Sequence, residues 1–224
     1  MSIRNLSFGT PEKHVPSNFC PDFCTKVDIS GKGNKNGNFD ISAVTFRTTQ
    51  RGCVVELPFS QDEEYYGFGL QLYSFSHKNR KLTLRVNSDP MFSTGDTHAP
   101  APFFVSTAGY GIYADTARYA EFYMGVQRVS SETKQSRGAS ADNTESLYAP
   151  DRDTNEKVIA IHIPSAQGID LYIIEGENIL DVVKQYNMMS GAGPDIPDWG
   201  LRTYYRCHVD ADAKSVINTV DNLC

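Results

Sequence analysis

Short apolar stretches separated by turn residues recur through most of the chain at roughly 8–12-residue spacing, and this rhythm constrains the fold more than any other feature. Residues 26–30 alternate, and the Gly- and Asn-rich stretch 31–38 reads as a polar turn. Residues 39–49 alternate apolar and polar side chains. Cys53, Val54, Val55 and Leu57 mark the next strand, which Pro58 closes. Strands follow at 68–75, 81–86, 103–106, 110–115, 118–126, 158–163 and 169–174. Two stretches lack the pattern: 87–102, which holds three prolines and reads as a loop, and the polar 130–153, which reads as a long hairpin tip or an insertion. Many short strands without intervening helices predict an all-β sandwich.

At Glu177 the period changes. Ile179, Val182, Val183 and Tyr186 stand at i, i+3, i+4 and i+7, one face of an amphipathic helix. Glu175 and Glu177 near its start and Lys184 near its end suit the helix dipole. Gly191, Gly193, Pro194 and Pro197 end it and form a linker. Residues 199–206 have strand composition, and 213–223 carry Val216, Ile217, Val220 and Leu223 on one helical face, with Asp210 and Asp212 at the expected start. The chain thus closes on strand, loop and helix. A βα unit needs neighbouring parallel strands to bury its strand. The expected organisation is a β-sandwich over 1–176, a connecting helix and Gly/Pro linker over 177–198, and the start of a further domain over 199–224.

Charge narrows the partners. The formal net charge is −6 and no basic run appears, which argues against nucleic acid and against anionic membrane surfaces. No apolar stretch approaches the roughly 18–20 residues of a membrane span. The N-terminal segment lacks the apolar core of a secretory signal, so a soluble chain is expected, either cytoplasmic or exported with its signal removed. The five cysteines, Cys20, Cys24, Cys53, Cys207 and Cys224, are odd in number and suggest no disulfide framework. Cys20 and Cys24 stand four apart without the two further ligands that a metal site requires. No metal or cofactor is expected. The 12 Tyr and 12 Phe suit a pleated β core first and sugar stacking second.

Three motifs carry a family likeness. Tyr66-Gly-Phe-Gly69 is followed by Leu70-Gln71. The stretch 87–106, beginning Asn-Ser-Asp and ending Ala-Pro-Phe-Phe-Val-Ser, leads into Gly109-Tyr-Gly-Ile112. The helix ending Gln185-Tyr186 precedes a Gly/Pro linker and then Pro197-Asp-Trp-Gly-Leu201. Together these resemble glycoside hydrolase family 31. The resemblance implies a galactose-mutarotase-like β-sandwich followed by the first βα unit of a truncated (β/α)8 barrel. The family's first motif carries Glu where this chain has Leu70-Gln71. A complete barrel takes about 250 residues, so the domain opening at Trp199 is unfinished here.

What the resemblance implies about chemistry is specific. Retaining glycosidases place two carboxyl groups about 5–5.5 Å apart, one as nucleophile and one as acid/base. In the family both are aspartates on later barrel strands, so no catalytic residue is expected within these 224 residues and the chain alone is expected to be inactive. Sugar-contacting groups are expected at Asp89 and Asp96 in the 87–106 loop, and at Arg206 and His208 past the first barrel strand. Asp89 matches the aspartate of the family's Asn-x-Asp loop, where a carboxylate can accept hydrogen bonds from vicinal hydroxyls; the plain alternative is a turn-forming Asp before Pro90. His208 either hydrogen-bonds a sugar hydroxyl or sits on a solvated loop. Arg206 either pairs with a carboxylate or a charged sugar substituent, or forms a structural salt bridge.

The leading expectation is the N-terminal portion of a retaining α-glycosidase acting on an α-glucoside, α-xyloside or α-galactoside. The alternative is a non-catalytic carbohydrate-binding β-sandwich. A mutarotase-like epimerase would need a His and a carboxylate facing one cavity of the sandwich. His98 and His162 are the core-side candidates for that role, and no paired motif supports them; His14, His77 and His162 otherwise read as ordinary surface or core histidines.

Overall fold

The computed structural model describes residues 2–12, 39–89, 91–92, 94–127, 156–190, 196–201 and 206–223. The expectations for 26–38 and 130–153, for Cys20, Cys24 and His14, and for the linker at 191–195 lie outside these residues. The chain divides into two compact units, Met1–Ala192 and Gly193–Cys224.

The described part of the first unit holds ten strands: β1 (Ser2–Gly9), β2 (Thr45–Thr49), β3 (Gly52–Pro58), β4 (Tyr65–Gly69), β5 (Lys81–Leu84), β6 (Pro100–Ser106), β7 (Tyr110–Asp115), β8 (Ala120–Gln127), β9 (Lys157–Pro164) and β10 (Gly168–Glu175). They form two five-stranded sheets, ordered β1-β10-β7-β6-β4 and β2-β3-β9-β8-β5. Every strand pairing is antiparallel. The expected mainly β architecture of two antiparallel sheets is what the chain forms.

The core lies between the sheets. Phe68, Phe104, Ile112, Leu171 and Ile173 from the first meet Cys53, Val55, Leu57, Phe122, Met124, Ile159 and Ile161 from the second, all within 1% of full burial. Strand alternation explains why these residues are buried, since every second side chain faces the opposite sheet. Phe68 and Phe122 cross the gap edge to face with centroids 5.0 Å apart. Burial of each such ring contributes on the order of 2–3 kcal/mol.

A helix covers the outer face of the first sheet. α1 (Ile179–Met189) is capped by Asn178, whose side-chain oxygen accepts from the Asp181 N–H at 3.0 Å. Val182 is fully buried against Ile3, Phe103, Val105 and Ile174. The helix can approach because Gly111 on β7 has no side chain there; a Cβ would meet Val182 Cγ1 at 2.7 Å.

Several local expectations change. Glu175 does not serve the helix start: it is the last residue of β10, 7% exposed, forms an ion pair with Arg4 (Nη2 to Oε2 2.9 Å), and accepts from the Phe39 N–H at 3.1 Å. The strand expected at 68–75 instead occupies Tyr65–Gly69 and ends in a bulge. Gly67, Phe68 and Gly69 take φ of 131°, 64° and 81° across this bulge, where β4 ends. Leu70, Leu72, Tyr73 and Phe75 are consequently exposed. Within 39–49 a short 3-10 turn, Ile41–Ala43, precedes β2. It starts at Asp40, whose carboxylate accepts from the Ser42 N–H and hydroxyl and is held below the usual carboxylate range by those bonds. β1, an edge strand, had no counterpart among the expected strands.

In the second unit, Asp198–Leu201 form a 3-10 turn closed by the Gly200 N–H on the Pro197 carbonyl at 2.7 Å. The strand expected to begin at Trp199 therefore does not begin there. A strand requires a neighbour to take its backbone hydrogen bonds, and the described residues of this unit offer none. Residues 202–205 lie outside the described part. α2 (Ala213–Leu223) is the helix expected at those residues. Asp212 starts it, its carboxylate accepting from the Ser215 N–H at 2.8 Å.

Candidate sugar-binding groove

A groove of about 530 Å³ opens beside β5, lined by Thr83, Arg85, Asn87, Asp89, Met91, Phe92, Thr94 and Asp96. Thr83, Arg85, Asn87 and Asp89 stand at every second position, the period that puts side chains on one face of an extended chain. The returning segment forms the opposite wall. The Thr83 N–H donates to the Thr94 carbonyl at 2.7 Å, the Thr97 N–H to the Arg85 carbonyl at 3.1 Å, and the Asn87 N–H to the Thr97 carbonyl at 2.9 Å. Gly95 makes the close passage possible. Its φ is 100°, and a Cβ there would lie 2.6 Å from the Thr83 nitrogen.

The structure brings Asp89 and Asp96 into this one groove, with different surroundings. Asp96 is tied down: Arg85 Nη2 donates to its Oδ2 at 2.5 Å and Asn87 Nδ2 at 3.4 Å. The same bond holds the Arg85 guanidinium still more firmly protonated. Asp89 is exposed, and its N–H donates to Asn87 Oδ1 at 3.0 Å. Its carboxylate thus points from a formed turn with acceptor capacity to spare for hydroxyl donors. Phe92 and Met91 are 74% and 69% exposed, an apolar surface at the same opening. One guanidinium faces two carboxylates, so the lining is net negative and better suited to a neutral polyol than to an acidic sugar.

Arg206 and His208 belong to the second unit, and both are exposed. His208 lines a separate hollow of about 320 Å³ with Cys207, Asp210, Ala211, Ser215 and Thr219. His208 Nδ1 lies 3.3 Å from Asp210 Oδ2. Arg206 is not among the residues lining this hollow.

The histidines sort differently from the expectation. His98 is exposed rather than core-side, and His77, read as an ordinary surface or core histidine, is 2% exposed. His77 packs edge-on against Phe68 at 5.2 Å, and burial pushes its ring down to about 4. His162 alternates with the inward-facing Ile161 and Ile163, so it sits on the face of its sheet away from the core. There its Nδ1 lies 3.0 Å from Glu121 Oε2. Arg85, Asn87 and Phe92 were not singled out from sequence, although the alternation of Thr83, Arg85, Asn87 and Asp89 was visible there. Among the described residues, no three His, Cys, Asp or Glu side chains converge on one point.

Residues 30–122 match the family described as "Glycosyl hydrolase 31 N-terminal galactose mutarotase-like domain". This match bears out the resemblance to family 31. An isomaltosyltransferase of Sporosarcina globispora is 21% identical over 160 residues, 71% of this chain and 12% of that protein. The α-xylosidase XylQ of Lactiplantibacillus pentosus is 22% identical over 170 residues, 75% of this chain and 18% of that protein. This chain therefore spans less than a fifth of the length of either relative. In fold, it is similar to an uncharacterized Listeria monocytogenes protein solved with α-D-glucose, β-D-glucose, magnesium and calcium, at a TM-score of 0.50 and 19% identity, over 71% of this chain and 13% of that one.

Proposed function

We propose, taking residues 30–122 as the glycosyl hydrolase 31 N-terminal galactose mutarotase-like domain that they match, that this chain is the N-terminal part of a retaining α-glycosidase. Its substrates are α-linked neutral sugars, an α-glucoside, α-xyloside or α-galactoside. The reacting carboxylates come from outside the 224 residues, and residues 199–224 open the barrel that carries them. The observation that carries this reading is the joint one: a family-31 domain whose 87–96 segment folds into a groove holding Asp89, Asp96 and an exposed Phe92.

In this reading the sandwich contributes binding rather than bond cleavage. Asp89 accepts hydrogen bonds from sugar hydroxyls, Phe92 offers a face for the sugar's C–H surface, and the Arg85–Asp96 pair stiffens the wall between them. Arg206 and His208 are the sugar-contacting candidates of the second unit. Hydrolysis then follows the two-step displacement of retaining enzymes, with one aspartate as nucleophile and one as acid/base.

The test is to read the coding sequence past codon 224. Further βα units with two aspartates at strand ends are expected. A stop codon directly after Cys224 would overturn the enzyme reading and leave a sugar-binding sandwich, for which the exposed groove aromatic is the supporting observation.

A further inference from the structure

We infer that Gln71 is a positioning residue for the groove, and that it does so through an amide which a carboxylate cannot replace. This rests on the groove's proposed role in sugar binding. Gln71 Nε2 donates to the Phe68 carbonyl at 3.0 Å and to the Gly95 carbonyl at 3.3 Å. The first acceptor is anchored in the core. Phe68 is fully buried, and its ring packs against Phe104, Phe122 and His77 with centroids 5.6, 5.0 and 5.2 Å away. The second acceptor belongs to the residue immediately before Asp96. One side chain therefore joins the sandwich core to the groove wall.

The neighbouring contacts run between the same two segments. The Leu70 N–H donates to the Ala99 carbonyl at 3.1 Å. The Thr97 hydroxyl donates to the Leu70 carbonyl. Residues 68–71 thus grip residues 95–99 at three points, and Gln71 supplies the one on the residue just before Asp96. Arg85 and Asn87 hold Asp96 from the β5 side, so the wall is fixed from both directions.

The residue type follows from the acceptors. A primary amide carries two N–H donors and can serve two carbonyls at once; an ionised carboxylate carries none. Glu at this position would aim its oxygens at two carbonyl oxygens and push the Gly95 segment away. Protonation would restore one donor, and the unfavourable surroundings would raise the carboxyl's pKa into an accessible range.

The experiment compares the 224-residue chain with Gln71→Glu and Gln71→Met. Two readouts are taken at pH 7 and pH 5: NMR titration with methyl α-glucoside, and amide hydrogen exchange of residues 94–97 relative to wild type. We expect Gln71→Glu to bind the glucoside about tenfold more weakly at pH 7 and to recover most of that loss at pH 5. Gln71→Met should stay weak at both. Exchange should follow the same pattern, faster for Glu only at pH 7. A purely structural role gives losses that do not depend on pH in the Glu variant; that result, or wild-type behaviour of Gln71→Glu at pH 7, overturns the inference. If wild type binds no glucoside, the sugar-binding reading fails, and hydrogen exchange alone decides whether Gln71 holds the wall.

Discussion

The rings of Phe103 and Tyr186 lie face to face, with centroids 3.8 Å apart and planes 3° from parallel. Phe103 is on β6 and Tyr186 on α1, so this stack fastens the helix to the outer face of the first sheet. Tyr113 adds a second ring at 5.7 Å from Tyr186. Replacing Tyr186 with Ala removes both contacts. We expect a loss of about 2–3 kcal/mol in urea unfolding, and Tyr186→Phe should keep nearly all of the stability.

A second expectation concerns acid. Glu121 on β8 is held down to about 2 by the Lys81 ammonium at 2.7 Å, then by His162 and Tyr123. A carboxyl depressed in the folded state adds stability that is present above its unfolded value and is lost as pH falls through the folded one. Its contribution should therefore disappear between about pH 4.5 and pH 2. Partial exposure and salt screening reduce it to about 1 kcal/mol. Glu121→Gln should flatten the stability profile in that window, as measured by denaturant midpoints at successive pH values.

His77 acts at higher pH. It is neutral in the folded protein because burial pushes it down to about 4, with the Arg80 charge adding to the effect. The unfolded chain takes up the proton near pH 6.5, so stability falls as pH drops from about 6.5 to 4, by about 3 kcal/mol in all. His77→Phe, which keeps a ring against Phe68, should remove this dependence. A variant whose stability still falls as steeply as wild type between pH 6.5 and 4 would contradict the assignment.

Gly95 offers a test of the groove's shape. Alanine there meets the Thr83 backbone and must hold a φ of 100°. We expect Gly95→Ala to cost about 2–4 kcal/mol or to displace the 94–97 segment, seen as faster hydrogen exchange at Thr97.

The fold was legible where strands alternate and face a core. Residues 110–115 and 213–223 were assigned from sequence at the bounds the structure shows, because periodicity and flanking turn or cap residues coincide there. The exposed edge strand β1 buries only part of its length, and its sequence, with Arg4, Asn5 and Ser7 among few apolar residues, carries a weak pattern. β4 was displaced because the apolar run Leu70, Leu72, Tyr73 and Phe75 looks like a strand, while the left-handed turn at Phe68 is a tertiary outcome that no composition reveals. Asp89 and Asp96 were found by family likeness; that they share one groove is visible only once 94–97 folds back along β5. Arg85 and Gln71 act through that fold-back, so their roles emerge only with the coordinates.

The most direct test of the account is to titrate the folded chain with methyl α-glucoside and methyl α-xyloside and follow the backbone amides by NMR. The account expects saturable shifts at Thr83, Asn87, Asp89 and Thr94, weakened about tenfold or more by Asp89→Ala, with methyl α-glucuronide binding more weakly than the neutral sugars. Shifts confined to other surfaces, or none at high sugar concentration in a folded protein, would contradict it.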